Sequence, residues 1–192
     1  MKKRTAFIGA LVSLMPIAQP LLIGSGAALT GAALILSSPE VANANRRAYF
    51  YFNRAFKKAD KGDDVGAIFD YSKAIEINPK DGDAYYNRGI AKRKLEDYDG
   101  VIADYTKAIE INPRYADAYY NRGNVMYDLE DYDGAIADYT KAIEINPRYA
   151  DAYTNRGLAK QNLGGFKGAC ADWRKASSLG SDKSSQWVRN DC

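Results

Sequence analysis

The stretch EDYDGVIADYTKAIEINPRYADAYYNRG, residues 96–123, returns 34 residues later as EDYDGAIADYTKAIEINPRYADAYTNRG, residues 130–157. The two copies agree at 26 of 28 positions and differ only at Val101/Ala135 and Tyr120/Thr154. A fixed period of this length is typical of a repeat architecture, in which each unit buries its apolar face only by stacking on its neighbours. The period therefore decides the fold.

Four units of 34 residues cover positions 48–183, as 48–81, 82–115, 116–149 and 150–183. Within the third unit, apolar and small residues recur at helical spacing on both sides of a turn at residues 130–134. Pro147 then ends the second of these segments, because the residue before a proline disfavours the α conformation. Each unit is therefore predicted to be two amphipathic helices joined by a turn.

This pattern resembles the tetratricopeptide repeat, which has small residues at its eighth, twentieth and twenty-seventh positions and a proline at its thirty-second. The matching small residues are Ala55, Gly89, Gly123, Gly157, Ala67, Val101, Ala135, Ala169, Ala74, Ala108, Ala142 and Ala176, and the prolines are Pro79, Pro113 and Pro147. The resemblance predicts an all-α protein, a right-handed α-solenoid of four helix-turn-helix repeats, with residues 184–192 as a capping helix. Trp187 and Val188 of that helix are expected to cover the fourth unit.

The sequence departs from the family at the seventh position, where Arg replaces the usual Leu in every unit, and at the eleventh, where Lys or Met replaces Tyr. An arginine among core positions needs a carboxylate, and each unit has an Asp sixteen residues later. We predict structural ion pairs within or between adjacent units, and we expect Arg122→Leu or Arg122→Met to fold. The alternative is four anion sites. The predicted pairs are Arg54–Asp70, Arg88–Asp104, Arg122–Asp138 and Arg156–Asp172.

Residues 1–44 differ from the rest of the chain, with a basic start followed by an uncharged run from Ala6 to Leu36. Ala42-Asn43-Ala44 fits the small-x-small pattern of a signal peptidase site, which predicts an export signal cleaved after Ala44. The alternative is an uncleaved N-terminal membrane anchor, because the uncharged run is long enough to span a bilayer. We expect export to the periplasm or an equivalent lumen, or secretion.

The two cysteines, Cys170 and Cys192, are expected to form a disulfide if the chain is exported, pinning the capping helix to the last repeat. Two independent thiols are the alternative. A redox role is disfavoured because the sequence has no Cys-x-x-Cys motif.

Composition excludes several classes of function. The chain has no His, which removes the usual general base and the commonest metal ligand. It also lacks a nucleophile elbow, a phosphate-binding glycine loop and a metal-ligand constellation, so no catalytic residue, cofactor or metal is predicted. Residues 1–44 hold three basic residues and one acidic residue, which leaves 24 basic and 23 acidic residues beyond them. A nucleic-acid partner is therefore not expected.

The resemblance implies a concave groove lined by the first helices, at the second, fifth, sixth, ninth, twelfth and thirteenth positions of each unit. The sixth position is Asn in all four units, and such a ladder can hold a peptide backbone without selecting its side chains. Thr154, at a fifth position, is expected in the groove as well. The lack of Lys at the fifth position, and of Asn at the ninth except Asn124, argues against a clamp for a C-terminal carboxylate. The predicted groove residues are Asn53, Asn87, Asn121, Asn155, Tyr86, Tyr120, Asn124 and Tyr127.

The sequence thus predicts a non-catalytic scaffold that binds another protein, as an extended peptide or a helix, in this groove. Three alternatives stay open: a membrane-anchored assembly factor, an accessory subunit of an enzyme complex or weak catalyst, and self-association through exposed repeat faces. The groove itself has a purely structural alternative, in which the Asn side chains bond the neighbouring unit and the Tyr rings pack between units without a ligand.

Overall fold

A computed structural model describes residues 38–192, which form nine helices and no strand. The predicted all-α fold is confirmed, with successive helices packed in antiparallel pairs. The predicted signal at residues 1–44 lies outside the described part except for its last seven residues. The helices are α1 Pro39–Asp60, α2 Asp64–Ile77, α3 Gly82–Lys94, α4 Tyr98–Ile111, α5 Ala116–Asp128, α6 Tyr132–Ile145, α7 Ala150–Asn162, α8 Phe166–Ser178 and α9 Asp182–Asp191.

The turns between paired helices have a common chemistry. Asp63, Asp97 and Asp131 accept a hydrogen bond from the backbone N–H three residues later and so cap α2, α4 and α6. The residue directly before each of these aspartates has a positive φ. It is Gly62 in the first unit but Glu96 in the second. Each second helix of the first three units ends at an Asn that precedes a Pro.

Within each unit the two helices approach closely because the eighth position is small. A Cβ added at Gly123 would lie 2.9 Å from Cε1 of Tyr139, and one added at Gly157 would overlap Nε1 of Trp173. The ring of each second helix therefore packs directly on the backbone of its partner. The rings at this position are fully buried in all four units: Tyr71, Tyr105, Tyr139 and Trp173.

The last helix covers the end of the fourth unit, as predicted. The ring centroids of Trp187 and Trp173 are 5.0 Å apart, and Val188 joins the same apolar cluster. The Cys170–Cys192 disulfide is present in the structure, with a sequence separation of 22 residues. It ties the end of α9 to α8.

Thr154 lies beneath α9 and is only 5% exposed, so the expectation that it faces the groove is wrong. Its hydroxyl lies 2.9 Å from Ser184 Oγ and donates to the carbonyl oxygen of Ala150 at 3.0 Å. The equivalent Tyr120 carries a ring that would not fit beneath α9. The second difference between the two repeat copies therefore makes room for the capping helix.

The first helix begins at Pro39 and runs through Ala42-Asn43-Ala44, so the predicted cleavage site lies within α1. Cleavage after Ala44 would leave a helix from Asn45 to Asp60. None of the helices between residues 38 and 192 combines the length and the apolar character that a bilayer crossing requires.

Candidate functional site

Each predicted arginine contacts the predicted aspartate of its own unit. The guanidinium binds both carboxylate oxygens: Arg122 Nε and Nη2 lie 2.7 and 2.8 Å from the oxygens of Asp138, and the other three pairs have the same geometry. The four carboxylates are buried. Two parallel charge-assisted bonds per pair make this the strongest polar contact within each unit.

Further contacts hold these arginines from other directions. Nη1 of Arg88, Arg122 and Arg156 donates to a hydroxyl of the preceding unit, from Ser72, Thr106 and Thr140 respectively. Each guanidinium also lies over the tyrosine ring at the fourth position, 5.1 to 5.8 Å from its centroid. All three guanidinium nitrogens of Arg88, Arg122 and Arg156 are engaged, so these three pairs are structural contacts and their geometry disfavours anion sites there.

Sequence reasoning missed a second cation at most of these pairs. The Lys at the eleventh position also reaches the aspartate, at 2.9 Å in the Lys58–Asp70 and Lys92–Asp104 pairs. Lys160 does the same at 2.7 Å from Asp172. The third unit has Met126 instead, so Asp138 depends on Arg122 alone. The departure from the family's Tyr at this position was the signal for the contact.

The ion pairs alter the protonation of their members. Bonding to Arg54 and to Lys58 lowers the pKa of Asp70 and outweighs the opposite effect of burial. The bond to Asp138 raises the pKa of Arg122, which stays charged. Both shifts favour the ionised pair.

The predicted asparagine ladder is used largely for bonds between units. Asn121 Nδ2 donates to Tyr86 Oη at 2.7 Å, and Asn155 Nδ2 donates to Tyr120 Oη at 3.1 Å. Asn87 instead donates to the carbonyl oxygen of Asp83 in its own helix, because the preceding unit has Phe52, which has no hydroxyl, at the position of Tyr86. Asn53 belongs to the first unit and has no preceding unit to bond.

A second set of tyrosines, which the sequence analysis did not single out, lies between the units. Tyr115 packs its ring on Tyr86 at a centroid distance of 4.8 Å, and its hydroxyl donates to Asp83 Oδ1 at 2.8 Å. Tyr149 repeats the arrangement on Tyr120, with its hydroxyl 2.9 Å from Asp117. Burial raises the pKa of both tyrosines, so these hydroxyls remain donors. Each ring wedges two successive first helices together.

Beyond these contacts, groove positions of three successive first helices enclose a cavity of about 260 Å3. Arg93 of α3 and Asp128 of α5 form an exposed ion pair across it at 3.0 Å. Two predicted groove residues, Asn124 and Asn155, bond each other at 2.9 Å on its wall, and Asn124 also accepts from Tyr139 Oη. The predicted Tyr127 lines the cavity as well and accepts from Asn162 at 2.9 Å. Arg93, Asp128 and Leu158 complete the lining and stand at the twelfth, thirteenth and ninth positions of their units, which the resemblance assigns to the groove.

Comparison with known proteins identifies the family to which this architecture belongs. The family described as TPR repeat matches residues 58–95, 91–130 and 123–164, together more than half of the chain. The chain belongs to the tetratricopeptide repeat family. Its fold is therefore that of a protein-binding scaffold. Within residues 38–192, no group of side chains is arranged to hold a metal ion. No curated protein matches the chain.

Solved tetratricopeptide structures share the fold. The crystal structure of MamA is 28% identical and has a TM-score of 0.68, covering 76% of this chain and 86% of that one. The OM64 domain of Arabidopsis is 29% identical with a TM-score of 0.53, covering 56% of this chain and 91% of that one. The first repeat domain of RPAP3, bound to an HSP90 peptide, is 24% identical with a TM-score of 0.61, covering 62% of this chain and 95% of that one. At that identity the last shares only the fold.

Proposed function

We propose that this tetratricopeptide protein is a non-catalytic scaffold that binds an extended segment of a partner protein along its groove face. The groove face is defined here as the cavity lined by Arg93, Asn124, Tyr127, Asp128, Asn155 and Leu158, together with Tyr139 at its floor. The observation that supports the proposal most directly is that groove positions of three successive units converge on this one cavity. Its lining mixes aromatic, amide and charged groups, which suits a peptide backbone with a side-chain anchor.

The RPAP3 domain, which is similar to this chain in fold alone, is an example of a peptide held on this fold. The groove face here is chemically different from a site for a C-terminal carboxylate. Arg93 is already paired with Asp128, so the local charge is balanced rather than basic. We expect an internal segment with both a donor and an acceptor side chain to bind, rather than an acidic chain end.

The test is peptide selection from a displayed random library, followed by affinity measurements on two charge-inverted proteins. The groove variant carries Arg93→Asp with Asp128→Arg, which keeps an exposed ion pair of low energetic weight while reversing its direction. The matched control carries Lys107→Glu with Glu110→Lys, an exposed pair on α4 outside the groove face.

Peptides selected by the natural protein should lose at least tenfold in affinity on the groove variant and keep their affinity on the control. Selection of no peptide, or equal binding by all three proteins, would exclude the groove face as a binding surface. An enzyme-accessory role would instead be favoured by a partner enzyme whose activity changes when this protein binds. That change would be the same for the natural protein and for the Arg93/Asp128 inversion.

We further propose that the chain is exported. The basic start, the uncharged run and the Ala42-Asn43-Ala44 site support this, and so does a disulfide, since disulfides persist in oxidising compartments. N-terminal sequencing of the protein from its native compartment tests the proposal. A mature chain beginning at Asn45 is expected; an intact N-terminus in the membrane fraction would establish the anchored alternative.

A further inference from the structure

The junctions between units differ in one respect that bears on specificity. The last position of a unit is Tyr115 in the second unit and Tyr149 in the third, and each ring fills the space between successive first helices. Their hydroxyls donate to Asp83 and Asp117, at the second position of the same units. These two junctions therefore show that the space between successive first helices accepts a tyrosine side chain.

The first junction has no such ring. Asp81 stands at the position of Tyr115, Phe52 at that of Tyr86 and Tyr49 at that of Asp83. Asp81 Oδ1 accepts from the backbone N–H of Ala84 at 3.1 Å and caps α3, so its side chain is held at the edge of the space. A cavity of about 450 Å3 lies here, which is within the ordinary range for a ligand site, roughly 300 to 1,000 Å3.

The lining of this cavity defines the chemistry of what it can hold. Phe52 and Tyr49 provide aromatic surface, and Asp81 and Asp83 provide two carboxylates. Asn45, Ala48 and Asn78 complete the lining, which contains no Lys or Arg. An aromatic ring can pack on Phe52 as Tyr115 packs on Tyr86, while the carboxylates favour a hydroxyl donor and neighbouring positive charge.

We propose that the cavity of the first junction binds a tyrosine side chain of the partner, flanked in the partner's sequence by basic residues. The proposal rests on the proposed function, since it names the anchor of the segment that lies along the groove face. Tyr49, Phe52 and Asp83 occupy the second and fifth positions of their units, so predicted groove positions form part of the cavity lining. The partner's tyrosine ring would fill the first junction as Tyr115 and Tyr149 fill the next two.

The test uses the full chain and a short capped peptide with Tyr between two Lys residues. Companion peptides replace that Tyr by Ala, or both Lys by Glu. Isothermal titration calorimetry measures affinity, and amide chemical shifts map the site. We expect saturable binding with shifts at Tyr49, Phe52, Asp81 and Asp83, and at least tenfold weaker binding of both companion peptides. Equal binding of the Tyr and Ala peptides, or shifts elsewhere, would overturn the proposal. Tighter binding of the Ala peptide would identify Lys as the occupant and overturn it too.

Three variants of the protein sharpen the result. Asp81→Tyr supplies the ring that fills the other junctions and should abolish binding, whereas Asp99→Tyr on the exposed start of α4 should leave it unchanged. Tyr115→Asp should open a similar cavity at the second junction and raise the stoichiometry toward two. Undiminished binding by Asp81→Tyr refutes the proposal.

The outcome is separable from that of the groove test. If library-selected peptides bind and respond to the Arg93/Asp128 inversion but not to Asp81→Tyr, the tyrosine anchor is wrong while the scaffold function stands. If the Tyr peptide binds at the first junction but the inversion has no effect on any ligand, the groove face is wrong and the anchor stands alone.

Discussion

Replacing Arg122 by Met is expected to destabilise the protein more than the same change at Arg88, although the two arginines occupy equivalent positions. Both bind two carboxylate oxygens, both donate to a hydroxyl of the preceding unit, and both lie over a tyrosine ring. Losing these common contacts costs about the same in each unit. What differs is the environment of the aspartate that remains.

Asp104 keeps Lys92 at 2.9 Å after Arg88 is removed, whereas Asp138 faces Met126 and keeps no cation. The two carboxylate side chains are similarly buried, at 4% and 7% exposure. Stranding a buried charge costs about 3–5 kcal/mol. A retained charge-assisted hydrogen bond recovers about 1.5–3 kcal/mol of that, so Arg122→Met should be the more costly change by this amount.

Urea unfolding at pH 7, followed by circular dichroism, measures the free energy of unfolding of each variant. Variants are compared only where the dependence of that free energy on urea concentration is unchanged, so that the difference reports stability alone. Adding Met126→Lys to Arg122→Met reproduces the lysine of the other three units and should restore about 1.5–3 kcal/mol. Adding Asp138→Leu instead removes the stranded charge and should also recover stability. Equal costs at Arg88 and Arg122, or no rescue by Met126→Lys, would refute this reasoning.

Three further predictions follow. Thr154→Tyr should displace α9, cost about 1–3 kcal/mol through overpacking, and increase iodide quenching of Trp187; unchanged quenching would contradict the packing described. Cys192→Ser should lower the free energy of unfolding by about 3 kcal/mol, since the disulfide closes a loop of 22 residues, and reduction of the wild type should match it in urea unfolding. Burial raises the pKa of Tyr71 to about 12, against about 10 when unfolded. Tyr71 alone should therefore lower the free energy of unfolding by about 1.4 kcal/mol per pH unit between pH 10 and 12, and Tyr71→Phe should remove that part of the slope in urea unfolding.

The contacts of Arg122 show what the sequence pattern leaves open. The spacing of sixteen residues between Arg and Asp was enough to pair them, because two helices of one unit face each other at fixed positions. It did not show that Asp138 lacks the second cation present at Asp104. The single Arg122→Met change is still expected to fold, at the cost given above, whereas only the paired replacement removes both charges from the interior.

The fold was predictable because the 34-residue period repeats every core position four times, so each assignment is tested by three others. The candidate site was less predictable because its features depend on single departures from that period. Thr154 is predicted in the groove because the resemblance assigns the fifth position to the groove, but α9 covers it. The sequence pattern does not single out Tyr115, because this residue lies after Pro113 in the connection between two units. Side-chain direction there depends on how the units stack. Comparing Asp81 with Tyr115 and Tyr149 at the same repeat position indicates that the first junction differs from the next two.

The contacts that distinguish the junctions also set a gradient of stability along the chain. Arg54 is the most exposed of the four arginines, at 42% against 15–17%, and the first junction lacks both the inter-unit amide–hydroxyl bond and the tyrosine wedge. The opposite end is closed by α9 and a covalent link. In a linear array, where each unit is stabilised only by its neighbours, opening should begin at α1 and travel toward the disulfide. A ligand held between α1 and α3 would then also slow unfolding of the whole array, because it would hold closed the junction that opens first.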